Sequence, residues 1–212
     1  MFQRRHDLLL LVYLVLLIIV YPLLDQGTLN RSVFAMILGM ALLLAMLSVS
    51  VKEGPTLPMS ILFGVAFVLR VIDYAEATPI LQALQWGALT LFFGFAVRAM
   101  FVHLFEAKTI SDGHLYASAS GYLFLALLWF AMYQVIETLR PGSFVTGGAP
   151  AGDHPSVLLY FSIVTLTTVG YGDIVPVWGL ARMLAAVEAM IGVLYIAITV
   201  ALLVGRHHER PQ

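Results

Sequence analysis

Two glycines one residue apart, Gly170 and Gly172, interrupt an apolar run in the segment TLTTVGYGDIVP, Thr165 to Pro176. Glycine has no Cβ and reaches backbone angles closed to other residues, so the carbonyls of Thr168, Val169, Gly170 and Tyr171 can turn toward one axis. A stack of inward carbonyls has the chemistry of a substitute water shell for a dehydrated cation. Unwound backbone is tolerated at membrane depth only where it is buried in protein or lines a water-filled path, because an unpaired carbonyl in hydrocarbon costs several kcal/mol. The segment therefore needs a scaffold that surrounds it.

That scaffold is apolar. Of 212 residues, 61% are hydrophobic and only 11% charged, against about a quarter charged in soluble domains, so a membrane protein is expected. Six stretches approach the roughly 20 apolar residues that a spanning helix needs: Leu8 to Leu24, Val33 to Val51, Leu57 to Ala75, Ile80 to Phe105, Leu115 to Ile136 and Leu180 to Val204. The first follows Arg4 and Arg5 but lacks a small-residue cleavage site and reads as a retained helix. A seventh, Ser156 to Thr167, is too short to cross and leads straight into the glycine segment, as a re-entrant half-helix would. Lys and Arg side chains number seven on one side of these spans and four on the other, which predicts cytoplasmic N- and C-termini in the plasma membrane. The Pro/Gly-rich loop Pro141 to Pro155 and the glycine segment then face outward.

Thr168 to Gly172, TVGYG, is identified as the selectivity-filter motif of the potassium-channel family, and the resemblance runs from about Tyr122 to Gly205. YFSIVTLTT (160–168) resembles the family's pore helix, Asp173 its outer-mouth acid, and EAMIGVLY (188–195) its inner helix with a glycine hinge at Gly192. The resemblance implies a pore domain over 108–212, with outer helix 115–136, pore helix 156–167, filter 168–172 and inner helix 180–204. It also implies K+ sites at Thr168, Val169, Gly170 and Tyr171, support from Thr167, and a water-filled cavity lined by Val193, Ile196 and Val200. A carbonyl cage needs four strands and the chain carries one filter, so a homotetramer of four-fold rotation is expected. Residues 1–107 then form a four-helix region like a voltage sensor. Its basic ladder is missing: the fourth stretch carries only Arg98 and the second has no acid, so voltage dependence is expected to be weak. Arg98 reads as fixed, paired or snorkelling, and Arg70 and Asp73 as a structural pair.

Other polar residues supply support. The resemblance puts Tyr160 where its hydroxyl could donate to Asp173, which Phe161 next to it could not, and Val164 where some relatives carry a second acid. Glu188 lies in mid-helix, one turn before Gly192, and an intramembrane carboxylate calls for a function. It either faces the pore helix and bonds backbone or a hydroxyl there, or faces the cavity and concentrates cations; the first is favoured because the cavity positions occupy a different helical stripe. Glu137, at the end of the fifth stretch, either resembles an acid that ties the outer ends of the pore helices together or is a solvated loop carboxylate. His154 lies in the outer loop just before the pore helix and reads as a solvated loop histidine, and His207 with His208 has too few companions for a metal site. Asp112-Gly113, in the linker EAKTISDGH, reads as a turn.

The expected fold is thus an all-α membrane protein of six transmembrane helices plus a re-entrant pore helix and filter loop, assembled as a tetramer. Its partners are K+, membrane lipid and its own copies. Scattered basic residues give no nucleic-acid surface, no cysteine is present, and no nucleophile-base or metal-ligand constellation suggests an enzyme. No cofactor is expected beyond K+ as the permeant ion. The alternatives are a coupled potassium transporter, which would carry four diverged filters in one chain, and a non-conducting accessory subunit, which would leave the filter idle.

Overall fold

Backbone groups cut off from water must bond within their own segment, and the apolar stretches accordingly fold as helices. The computed structural model describes residues 2–23, 57–75, 78–106, 112–151 and 154–207. They form α1 (Phe2–Leu23), α2 (Leu57–Ala75), α3 (Pro79–Glu106), α4 (Asp112–Leu139), α5 (Pro155–Leu166) and α6 (Gly179–His207). The stretch Val33 to Val51 lies outside the described residues. Three of these helices are long and apolar enough to cross a bilayer, at Pro79–Val102, Gly113–Leu139 and Gly179–Gly205, while Asp7–Pro22, Ser60–Leu69 and Pro155–Leu166 are shorter apolar helices. Asp112 and Gly113, expected to turn, instead open α4; an acidic residue at a helix start complements the positive end of the helix dipole, which favours continuing the helix there.

Helix α4 is the hub. α3 runs antiparallel along it, with Trp86 edge-on to Phe130 at 5.2 Å, Phe93 against Phe124 at 6.2 Å, and Met100 near Gly121. α1 lays a stripe of Leu10, Leu14, Leu17 and Tyr21 inward, the i, i+4, i+7 spacing of one helical face, and its Tyr21 meets the same Phe130 at 5.7 Å. α2 lies against α3. In lipid such helices gain little from hydrophobic transfer and are held by close packing, which explains the aromatic rings interleaved between them. The packing is uneven along the chain. Within the most apolar window, 67% of α4 is buried inside the subunit, but only 22% of α6.

A three-stranded sheet of order β2-β1-β3 caps one end of the helices, built from β1 (Phe144–Thr146), β2 (Ala149–Pro150) and β3 (Ile174–Pro176). The loop Pro141 to Pro155 is therefore partly a hairpin. Its two-residue turn is Gly147-Gly148, with φ of +57° and +87°, the left-handed pair that twists two strands into register. Both prolines within strands, Pro150 and Pro176, sit on the outer strands, where no ladder donor is required. β3 directly follows the glycine segment, so β1 fastens that segment's exit to the top of α4.

Candidate functional site

Helix α5 starts on Pro155 in its first turn, where the missing N–H costs nothing, and it ends at Leu166, aimed at the glycine segment. The chain then leaves the helix through Thr168 at φ +59°, followed by Gly170 at +56° and Gly172 at +77°. Left-handed backbone at every second residue turns alternate peptide planes over, so successive carbonyls can share one side of the strand. The N–H groups face the other way: Thr168 donates to the Thr165 carbonyl at 2.9 Å, and Val169 and Gly170 both donate to the Val164 carbonyl at 3.0 and 3.3 Å. Thr168 is the one non-glycine with positive φ among the described residues. For a β-branched residue this stores about 1–3 kcal/mol, a cost met mainly at functional sites. Thr167 through Asp173 are all exposed in the single chain, with Tyr171 72% exposed.

Beneath this segment three helices converge on one carbonyl. The Leu166 oxygen accepts from the Tyr122 hydroxyl at 3.0 Å, and a Cβ placed on Gly192 of α6 would lie 2.0 Å from it. Only a glycine lets α6 come so near. One turn further along α6, the Tyr195 hydroxyl donates to the Ser118 carbonyl at 2.5 Å, and its ring meets Tyr122 at 5.3 Å and Phe101 at 5.2 Å. Gly121 leaves room for that hydroxyl.

A second cluster lies nearer the end that the sheet caps. Glu188 is fully buried, with Tyr133 of α4 at 2.5 Å from Oε2 and Ser162 of α5 at 2.6 Å from Oε1. The Tyr133, Phe144 and Phe161 rings form a triangle with centroids 5.2 to 5.3 Å apart, joining α4, β1 and α5. Above it the Glu137 carboxylate accepts from the N–H groups of Gly142 at 2.7 Å and Phe144 at 3.1 Å. Ser143, between them, accepts from the Val177 N–H at 2.9 Å. Glu137 thus holds the hairpin against the end of α4. Arg140 stacks over Trp178 at 4.9 Å, another tie between the end of α4 and the start of α6. The Tyr160 hydroxyl meets the Asp173 carboxylate, and that hydrogen bond raises the hydroxyl above the ordinary tyrosine range.

A family model described as "Ion channel" matches residues 86–206, more than half of the chain. The chain belongs to this ion-channel family. It is 36% identical over 81 residues to the inward rectifier potassium channel Kirbac3.1 of Paramagnetospirillum magnetotacticum, covering 38% of this chain and 24% of that protein. It is 40% identical over 73 residues to two pore potassium channel c of Oryza sativa subsp. japonica, covering 34% and 15%. With the protein LctB of Geobacillus stearothermophilus it shares 39% over 79 residues, 35% of this chain and 58% of that one. The chain thus spans a quarter or less of the first two of these relatives. No solved structure matches it significantly. A channel passes ions without turning over a substrate, so the chain is not an enzyme.

In this channel the residues singled out by sequence fall into three places. Thr167, Thr168, Val169, Gly170, Tyr171, Gly172, Asp173 and Tyr160 gather around the glycine segment. Glu188 and Gly192 lie on the buried stripe of α6 with Tyr195 and Thr199, and Val193, Ile196 and Val200 lie on its exposed side. Val164 is buried and contributes its carbonyl. His154 and Arg98 are exposed. The side chains of Arg70, Asp73 and His207, and the whole of His208, lie outside the described residues. Tyr122, Tyr133, Ser162 and Tyr195 were not anticipated from sequence. A hydroxyl within an apolar helix needs a partner, and the buried acid Glu188 needs one too; that shared need is the signal that could have paired them.

Proposed function

We propose that this ion channel is selective for K+, with four copies of the chain arranged around the carbonyls of Thr168, Val169, Gly170 and Tyr171. The observation that carries the reading is the alternation of left-handed φ at 168, 170 and 172, with the N–H groups of 168, 169 and 170 bonded back to α5. That leaves a row of carbonyls for an ion, and rings of such carbonyls replace the hydration shell of K+. Each of the relatives Kirbac3.1 and two pore potassium channel c is named a potassium channel, and the bare face of α6 supports association with further copies. Residues 108–212 act as the pore domain, and Val193, Ile196 and Val200 face its cavity below the filter. Thr167, Tyr160, Asp173 and Glu188 brace the filter. Gly192 is the point about which α6 moves, so opening there strains the contact with Leu166.

Residues 1–107 complete a six-span subunit with cytoplasmic ends in the plasma membrane and bias opening only weakly. Moving one charge fully across the field is worth about 2.3 kcal/mol per 100 mV, and the fourth stretch offers one arginine. The test is a bilayer recording of the purified full-length protein under K+, Rb+ and Na+ gradients with voltage varied. K+ and Rb+ currents far exceeding Na+ current, with a shallow voltage dependence, are expected. Comparable Na+ current would reject the selectivity.

A further inference from the structure

The contacts around Glu188 set a proton count. Three close oxygen–oxygen approaches meet in one buried place: Tyr133 Oη to Glu188 Oε2 at 2.5 Å, Ser162 Oγ to Glu188 Oε1 at 2.6 Å, and Ser162 Oγ to the Ala126 carbonyl at 2.9 Å. All lie in the range of O–H···O hydrogen bonds, and each such bond needs a proton between its oxygens. Tyrosine and serine carry one hydroxyl proton each, and a backbone carbonyl carries none. Two protons serve three contacts only if Ser162 splits its single proton between Glu188 and Ala126, a bent three-centre bond that fits poorly with approaches as close as 2.6 and 2.9 Å. If Glu188 were ionised, Ser162 would donate to it and face the Ala126 oxygen with a lone pair, leaving two buried acceptors pressed together.

We propose that Glu188 keeps its own proton and works as a neutral carboxylic acid, donating through Oε1 to Ser162, which donates in turn to the Ala126 carbonyl, while Tyr133 donates to Oε2. Every polar atom is then satisfied without burying a charge, a state far less costly than an unpaired carboxylate in a dry interior. Glu188 is 0% exposed, and Ser162 likewise. The titratable groups that act on it are the tyrosines Tyr133 and Tyr122 of α4; Ser162 is the polar group that α5 presents, and no cation is among its described partners. The contacts of Glu137 are of another kind: its two oxygens accept from the N–H groups of Gly142 and Phe144.

This makes Glu188 a positioning residue. Its proton closes a path from α6 through Ser162 of α5 to the backbone of α4, one residue pair away from the Val164 carbonyl that receives the glycine segment. It therefore fixes where α5 points before the chain unwinds. A glutamine can replace the acid almost atom for atom, donating from its amide nitrogen to Ser162 and accepting from Tyr133, which no ionised carboxylate could imitate at the first contact.

The experiment is infrared difference spectroscopy on the purified full-length channel, comparing wild type with Glu188→Gln, Ser162→Ala and Tyr133→Phe. A C=O stretch of an unionised carboxyl, sensitive to deuterium exchange, should be present in wild type, absent in Glu188→Gln and shifted in Ser162→Ala and Tyr133→Phe. Loss of carboxylate-stretch intensity instead in Glu188→Gln would overturn the proposal. If that variant does not fold, the other two decide: an unionised band that neither of them moves also overturns it. Glu188→Gln should keep its K+ over Na+ preference within about threefold of wild type because both hydrogen bonds are retained, whereas Glu188→Ala should not. A folded Glu188→Gln channel that loses selectivity would count against the neutral acid. The selectivity readout rests on the K+ reading above and the infrared band does not, so failure of one is distinguishable from failure of the other.

Discussion

Replacing Gly192 by alanine tests how closely α6 must approach the end of α5. An added Cβ would lie 2.0 Å from the Leu166 oxygen, while even favourable C–H···O contacts keep carbon and oxygen about 3.3 Å apart. The helices must therefore separate by roughly 1.3 Å, or Leu166 must turn away from the Tyr122 hydroxyl that holds it at 3.0 Å. Overpacking of this kind costs about 1–3 kcal/mol, and losing the hydrogen bond adds about 1 kcal/mol. Alanine returns about 1 kcal/mol through its higher helix propensity, so a net loss of about 1–3 kcal/mol per subunit is expected. Gly87→Ala in α3 is the control, because nothing lies within 4 Å of its added Cβ and only the propensity gain remains. Thermal unfolding in detergent measures the difference, and Rb+ flux into vesicles reports whether the glycine segment above Leu166 has moved. A Gly192→Ala protein that melts with Gly87→Ala and keeps wild-type flux would refute the close-approach argument. A purely flexible role for Gly192 predicts altered opening without this loss of stability.

Three further outcomes follow from the site. Gly170→Ala and Gly172→Ala meet open space but must hold φ of +56° and +77°, a left-handed state that costs a non-glycine residue roughly 1–2 kcal/mol; Rb+ flux should fall sharply while the purified protein stays folded. Tyr160→Phe removes the donor to Asp173. Since the Tyr160 hydroxyl is shifted upward by that bond, the brace is fully present below the ordinary tyrosine pKa and is lost only as pH rises through the higher folded value. Current through the wild type should thus be indifferent to this group at neutral external pH and weaken at strongly alkaline pH, a step absent from Tyr160→Phe. Glu137→Gln turns one acceptor toward a backbone N–H into a donor, at a cost of about 1–3 kcal/mol for the group left unsatisfied, read as a lower melting temperature and faster proteolysis of the hairpin Phe144–Pro150.

What could be read in advance depended on how local the signal was. The half-helix before the glycine segment was legible because its apolar run is too short to span and its boundary is marked by Pro155 and the following threonines; it folds as Pro155–Leu166, one residue from the expected limits. The helices α4 and α6 extend a few residues beyond the expected 115–136 and 180–204, since helix ends follow contacts as much as composition. The small sheet was not legible, because strands of two or three residues are too short to show a period of two, and β3 pairs with a partner about 30 residues away in sequence. Glu188 was recognisable as a residue needing a partner, but Tyr133 and Ser162 lie 55 and 26 positions off, and no spacing rule links them. Nor does sequence reveal that Gly192 is pressed against a carbonyl: an unfilled volume and a hinge look alike when only the missing Cβ is visible.

The meagre burial of α6 within its own subunit bears on how the protein is made. Its docking stripe of Glu188, Gly192, Tyr195 and Thr199 fits receptors already laid down on α4 and α5, both of which precede it in translation, while its opposite side finds no match among the described residues. In the tetramer proposed above, each newly synthesised copy would reach the membrane with a finished socket and an unfinished surface, to be completed by its neighbours.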